Sequence, residues 1–399
     1  MLPNIPRFIA PIFLAIGLVG CDTGVSSLPA PPAIPPAQAW NDLWATYERT
    51  AHDSISLDGM ASRFLGFESM YPTNPRAAEA AWWAGYVTYL QRRWPDAATN
   101  FRGMVQRHPT SVYVDNSLHY LARCLVEQGI GDQARDSIRH FLANPKYSTS
   151  LYRAASWYYL GRAYMVMGKN DSARRIFALV RDSFPLDTVR IADATYETGK
   201  AWYSDSIWTT AQDWFGKVID SFPTVEFRQD NAMYWYARCQ HRRNHEDSAI
   251  PGYRNLIARY PTSSYADQAA YHIGVAFYDL AFRVGPAEFY DSAIISEANF
   301  LGAYPSSSYR DDGIYEQGKS HYRLGQPNLA EPLMDSVIAW NPASNVQDYA
   351  LYYKSRILGD AGNCSGASNV VSRLLAAYPQ SAALVLARTY ANLNGCVVP

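Results

Sequence analysis

Two groups of residues have types and spacings that could do chemistry. Cys239, His241 and His245 put two imidazoles four residues apart, on one helix face, with a thiol nearby. That is the beginning of a metal site, but such a site needs three or four converging ligands. Arg242, Arg243 and Asn244 instead surround these residues with positive charge, so a surface turn is expected and no metal. The second group is a recurring carboxylate beside a hydroxyl: Asp171-Ser172-Ala173, Asp247-Ser248-Ala249 and Asp291-Ser292-Ala293. Each stands where a helix begins, where Asp and Ser satisfy free N–H groups and complement the helix dipole. They read as caps and not as nucleophiles. No HExxH, GxSxG, GxGxxG or P-loop sequence occurs, so neither an enzyme nor a cofactor is expected.

A third reactive residue is Cys21. The uncharged apolar run from Phe8 to Gly20 is too short to span a bilayer but suits a secretory core. It ends Leu18-Val19-Gly20-Cys21, which resembles the bacterial lipoprotein signal: a Leu, a small or branched residue, Gly, then Cys. The resemblance implies removal of residues 1–20 and acylation of Cys21 at its thiol and new amino terminus. Residues 22–39 carry Pro29, Pro31, Pro32, Pro35 and Pro36. Such a segment favours extended geometry, so 21–40 is read as a tether reaching about 50 Å from the lipid. The compartment implied is the cell envelope, the outer membrane facing the periplasm. Asp22 leaves the inner membrane open.

Composition narrows the classes. Among 399 residues, 35 Lys+Arg face 36 Asp+Glu, a net charge of −1 that lacks the basic excess of a nucleic-acid binder. With 48% hydrophobic and 18% charged residues the chain folds. Five cysteines are too few for a disulfide scaffold.

The elements that position everything else are repeats. Prolines recur at 72, 109, 145, 185, 223, 261, 305, 342 and 379, with intervals of 36 to 40 and one of 44. Similar text follows several of them, as in Tyr260-Pro-Thr-Ser-Ser-Tyr265 and Tyr304-Pro-Ser-Ser-Ser-Tyr309. Two helix-period segments separated by a Gly or Asn turn lie between successive prolines. Trp157, Leu160, Gly161, Tyr164, Ala173, Phe177 and Pro185 reproduce the tetratricopeptide signature. The chain therefore resembles the tetratricopeptide-repeat (TPR) family. That resemblance implies an all-α, right-handed helix-turn-helix solenoid, here about nine repeats over 41–380, with a capping helix and tail over 381–399. The 44-residue interval is read as a unit with about seven residues inserted near Arg283–Pro286, between its helices. The long repeat and the Tyr-Pro-x-Ser-x-Tyr-x-Asp linker, after a lipoprotein signal, resemble BamD-like outer-membrane assembly lipoproteins and Tol–Pal-associated periplasmic TPR proteins.

In such arrays helix A of each unit lines the concave face. With the small residue at the helix crossing set as position 8, position 5 reads Ala45, Trp82, His119, Tyr158, Tyr196, Tyr234, Tyr271, Tyr315 and Tyr352. Position 9 reads Arg49, Tyr86, Arg123, Arg162, Lys200, Arg238, Val275, Lys319 and Arg356. Position 12 adds Tyr89, Tyr203, Tyr278 and Tyr322. Seven bases in nine units far exceed chance. One reading is an electropositive, tyrosine-lined groove for an extended peptide or an acidic glycan. The other is internal neutralisation by position 2, which carries Asp42, Glu79, Asn116, Asp193, Asn231 and Asp312. Cys124 and Cys239 share one phase three units apart, too distant to bridge, and are expected as buried thiols. Cys364 and Cys396 occupy comparable turns of the last units and are expected to form a terminal disulfide.

The function expected is a non-catalytic, periplasm-facing lipoprotein scaffold. It would bind envelope proteins or extended peptide segments, in outer-membrane protein assembly or envelope organisation, with its N-terminal lipid in the membrane. A TPR lipoprotein of exopolysaccharide export or pilus assembly is the alternative. A peptidoglycan-acting enzyme is disfavoured because repeats run almost to Pro399. Neither nucleic acid nor a small-molecule substrate is expected.

Overall fold

The computed structural model describes residues 34–50, 57, 59–340 and 344–399. The signal, Cys21 and most of the tether lie outside the described residues. Those described form nineteen α-helices and one short 3-10 turn, with no strand among them. The helices fall into nine hairpins. These are α1 (Pro36–Thr50) with α2 (Met60–Met70), α3 (Ala77–Leu90) with α4 (Trp94–Arg107), and α5 (Val114–Glu127) with α6 (Gly131–Ala143). Next come α7 (Arg153–Val166) with α8 (Asn170–Ser183), α9 (Thr188–Ser204) with α10 (Trp208–Ser221), and α11 (Glu226–Arg242) with α12 (Glu246–Arg259). The last three are α13 (Ala266–Val284) with α14 (Glu288–Ala303), α15 (Arg310–Arg323) with α16 (Pro327–Ile338), and α17 (Gln347–Asp360) with α18 (Cys364–Ala377). Helix α19 (Ala382–Leu393) follows alone and packs more on α17 than on α18, unlike the preceding A helices, which pack mainly on the helix B before them.

The two helix types differ because their surroundings differ. In α8 the buried residues Ala173, Phe177 and Val180 recur at helical spacing, Arg174 and Arg181 flank them over the rings of Trp202 and Trp214, and Arg175 and Asp182 face outward. Helix α7 buries Tyr158, Tyr159, Leu160, Gly161, Ala163 and Tyr164, nearly all round, because it packs against α6, α8 and the helices A on both sides. In three hairpins the crossing is a glycine under a ring: Gly85, Gly161 and Gly199. A Cβ on Gly85 would stand 2.6 Å from the Phe101 ring, and one on Gly199 2.8 Å from Phe215. The turns between hairpin helices pass through left-handed backbone at Gly59, Gly129, Gly168, Gly285, Gly325 and Gly362, and at Arg92, Ser206 and Asn244 in the three other units.

The recurring linker has a physical role. Ser263 accepts a hydrogen bond from the Tyr265 N–H (3.0 Å) and donates to Asp230 of the preceding unit (2.6 Å). Ser150 does the same with Tyr152 and Asp115, and Ser307 with Tyr309 and Asp267. Serine thus sets the turn and ties it to the Asp at the start of the previous helix A. That accounts for the Ser-x-Tyr-x-Asp text.

Two expectations change. Helix α1 begins at Pro36, inside the expected tether, because proline suits the first helical turn and Trp40 buries against Phe64 and Phe67. The 44-residue unit carries its extra residues mainly as helix: α13 has 19 residues and α14 has 16, against 14 for α7 and α8.

Candidate functional site

Successive odd-numbered helices touch one another directly along most of the array, whereas the even-numbered ones do so far less, so the A helices crowd on one inner face. Four of the expected position 5 rings are packing residues. Tyr158, Tyr196, Tyr234 and Tyr315 are only 3%, 4%, 3% and 7% exposed, and burial pushes their hydroxyls well above the ordinary range. They offer no ring face to a partner; Tyr158 donates its hydroxyl to Glu197 (3.1 Å). Trp82, Tyr271 and Tyr352 are half-buried. His119, at the same phase, is enclosed by Tyr120, Tyr152 and Tyr159, and burial, with Arg123 and Arg190 adding to it, lowers its pKa to about 3.

The position 9 bases sit between rings of neighbouring units. The Arg123 guanidinium lies 4.9 Å from the Tyr89 ring of α3, 5.3 Å from its own Tyr120 and 5.0 Å from Tyr159 of α7. Lys200 stands 3.5 Å from the Trp235 ring, and burial lowers its pKa despite the nearby Glu197. Lys319 lies over Tyr278 (4.0 Å) and Arg356 over Tyr322 (4.8 Å) and Tyr390 (4.1 Å). Arg238 instead reaches the Nδ1 atoms of His241 (3.5 Å) and His272 (3.4 Å).

Neutralisation by position 2 is not the pattern. Asp193 holds Arg190 and Arg228, Glu79 holds Arg76, and Asp312 accepts from the Asn345 amide. Two position 9 bases do have acids, from other phases: Arg162 with Glu127 (2.8 Å) and Lys319 with Glu316 (2.7 Å). Arg123, Lys200, Arg238 and Arg356 have no carboxylate at ion-pair distance among the described residues. The Nε atoms of Arg123 and Arg356 are buried without a hydrogen-bond partner. A cation under a ring retains its field while losing much of its water, which favours anionic or carbonyl groups brought to the inner face.

The ladder borders a pocket at its C-terminal end. This pocket of about 430 Å³ between α15, the α15–α16 turn and α17 is lined by Tyr322, Arg323, Gly325, Pro327, Arg356 and Asp360. Asp360 accepts from Tyr322 (2.6 Å) and Tyr390 (2.6 Å), and Arg323 donates to the Tyr278 hydroxyl (3.2 Å). Arg323, Asp360 and Tyr390 were not among the expected site residues. Arg323 directly follows the position 12 tyrosine, which was the available signal, whereas Tyr390 lies in the helix read only as a cap.

Among the described residues no group of three His, Cys, Asp or Glu side chains could hold a metal. The expected surface turn is half corrected: His245 is exposed at the start of α12, but His241 is buried in α11 and meets Asp279 at 2.9 Å. Cys124 and Cys239 are buried and free, their thiols pushed up to about 12 by burial. Cys364 and Cys396 are joined by a disulfide, Cα–Cα 5.0 Å.

Two tetratricopeptide-repeat family models match the chain, one over 155–187 and 231–263 and the other over 62–112. No curated protein sequence matches it significantly. Among solved structures, the apo form of RapI is similar with a TM-score of 0.58 at 10% identity, covering 79% of this chain and 96% of that one. A signal-transduction ATPase with numerous domains and a tetratricopeptide-repeat sensor, from Pyrococcus horikoshii, has a TM-score of 0.57 at 13% identity, covering 85% of this chain and 54% of that one. At such identities the likeness is one of fold. Repeat matches, helix pairing and structural neighbours agree that this chain is a tetratricopeptide-repeat helical solenoid.

Proposed function

We propose that the protein is a non-catalytic, lipid-anchored scaffold of the cell envelope that binds an extended segment of a partner protein along the inner face of its repeats. The observation that carries the binding reading is the set of four inner-face bases, Arg123, Lys200, Arg238 and Arg356, that face rings or imidazoles and no carboxylate. A segment with carboxylates and backbone carbonyls complements such a face better than an apolar helix does. The envelope location rests on the Leu18-Val19-Gly20-Cys21 text alone, and a role in outer-membrane protein assembly rests on its combination with this repeat type.

The test is photo-crosslinking in cells from probes at the Tyr352 and Tyr86 positions, with Arg123→Ala and Arg356→Ala variants and labelling with a fatty-acid analogue. The expected result is capture of a barrel-assembly or other envelope protein that weakens in both Arg variants, with label lost in Cys21→Ser. Capture of polysaccharide-export or pilus components would transfer the protein to that role. Capture indifferent to both Arg variants would overturn the inner-face site.

A further inference from the structure

One buried carboxyl is out of place in the repeat. Four residues after the small residue of helix B, the units carry Phe101, Phe177, Phe215, Tyr253 and Met334, all fully buried. At that phase α14 carries Glu297. It is also fully buried, and neither carboxylate oxygen has a hydrogen-bond partner. The slot is the ring slot of the other units: a Cβ on Gly274 of α13 would collide with the carboxyl, and one on Gly313 of α15 would stand 3.3 Å from Oε2. The carboxyl therefore sits in the seam where α13, α14 and α15 meet.

Its surroundings disfavour ionisation. The titratable groups around it are Tyr271 on α13 and Asp312, Glu316 and Lys319 on α15. The single cation, Lys319, already pairs with Glu316 at 2.7 Å. Two acids thus face Glu297, and the neighbouring base is committed elsewhere. Burial above all, then Glu316, holds its pKa well above the ordinary 4.5. The same causes, burial first, then Asp311, put Asp312 at about 6.

We infer that the boundary between the seventh and eighth hairpins is a proton-held latch: α15 to α19 close on α13 and α14 while Glu297 is a neutral acid, and the seam loosens when it ionises. The sign follows from linkage. The closed seam keeps a proton that the open seam releases near pH 4.5, so the closed state loses ground as pH rises above that value, until the closed-state pKa is passed. Each pH unit in that window multiplies the opening equilibrium by up to about ten. The consequence is local, because each repeat contacts only its neighbours. Opening here parts the pocket built by Arg323, Arg356 and Asp360 from the inner face of the first seven hairpins.

The test is hydrogen exchange of the mature protein between pH 5 and 8, corrected for intrinsic amide rates, on wild type and Glu297→Gln. Glu297→Met, matching Met334 of the next unit, serves if the amide variant folds poorly. The expected result is a rise in opening confined to α13, α14 and α15, about tenfold or more over the range, and in either variant reduced to the part between pH 5 and 6 that Asp312 supplies. A wild-type seam no more open at pH 8 than at pH 5, an equal rise in α3 to α8, or an unchanged rise in the variants would each overturn the latch.

Discussion

At the scale of single residues, the hairpin crossing depends on the absence of a side chain. Gly199→Ala would put a methyl group 2.8 to 3.0 Å from the Phe215 ring, so ring or backbone must move. The expected cost is about 1–3 kcal/mol in urea unfolding. Gly66→Ala in α2 is the control: a Cβ there meets nothing within 4 Å, and the alanine should stabilise by about 0.5–1 kcal/mol. Equal effects of the two would refute the crossing argument. His119 gives a prediction in pH. Its pKa of about 3 in the fold against an ordinary 6.5 means that the unfolded chain binds a proton first as pH falls. Its contribution is intact above 6.5 and is lost as pH drops toward 3, with a slope of at most about 1.4 kcal/mol per pH unit. The stability difference between wild type and His119→Gln should therefore shrink from pH 7 to pH 4.5, whereas a constant difference would show that the imidazole has the same pKa in the folded and the unfolded chain. Glu297 and Asp312 tilt stability the opposite way over part of that range, so the comparison rests on the difference between the two proteins.

At the scale of elements, the turn inside each hairpin needs one left-handed residue, and six units supply glycine while Ser206, Arg92 and Asn244 adopt it with a Cβ. Left-handed backbone costs an L-residue about 1–2 kcal/mol. Ser206 is exposed and its hydroxyl makes no hydrogen bond, so Ser206→Gly should raise stability by about 1 kcal/mol, less the entropy glycine adds to the unfolded chain. A destabilised variant would mean that the turn is held by something other than φ. The elements were the most legible part of the sequence. Ala173 with Phe177 or Ala211 with Phe215 announce a buried stripe through spacing alone, and a proline every 36 to 40 residues separates the hairpins. The seven extra residues were legible in number but not in place, since Phe282, Arg283 and Val284 continue a helix as readily as they form a loop. The site was less legible for a geometric reason. Arg123 meets Tyr89 and Tyr159, which lie 34 and 36 residues away in sequence, so a column of bases can be read while the rings that cover it cannot. Glu297 escaped notice because a repeat pattern draws attention to the positions that obey it.

At the scale of the whole molecule, a solenoid has no single core, and its stability is a sum over hairpins and the interfaces between them. The ends are then the weakest places, and the C-terminal end carries the pocket beside Arg356. No helix B follows α19 among the described residues, and its Tyr390 completes the enclosure of Arg356 and bonds Asp360. The disulfide from Cys364 at the start of α18 to Cys396 after α19 closes a loop with a sequence separation of 32. On the chain-entropy account such a bridge contributes about 3–4 kcal/mol, but in a repeat array that sum acts on the last hairpin and not on the molecule at large. Reduction, or the double variant Cys364→Ser with Cys396→Ser, should therefore speed hydrogen exchange in α17, α18 and α19 and leave α3 to α8 unchanged. With α19 frayed, Tyr390 leaves Arg356, so a partner captured from the Tyr352 position should be lost in the double variant while capture from the Tyr86 position persists. Loss of protection through the whole array would show cooperative unfolding across all nine hairpins. An unaffected C-terminal end would show that α19 is held by its packing on α17 alone.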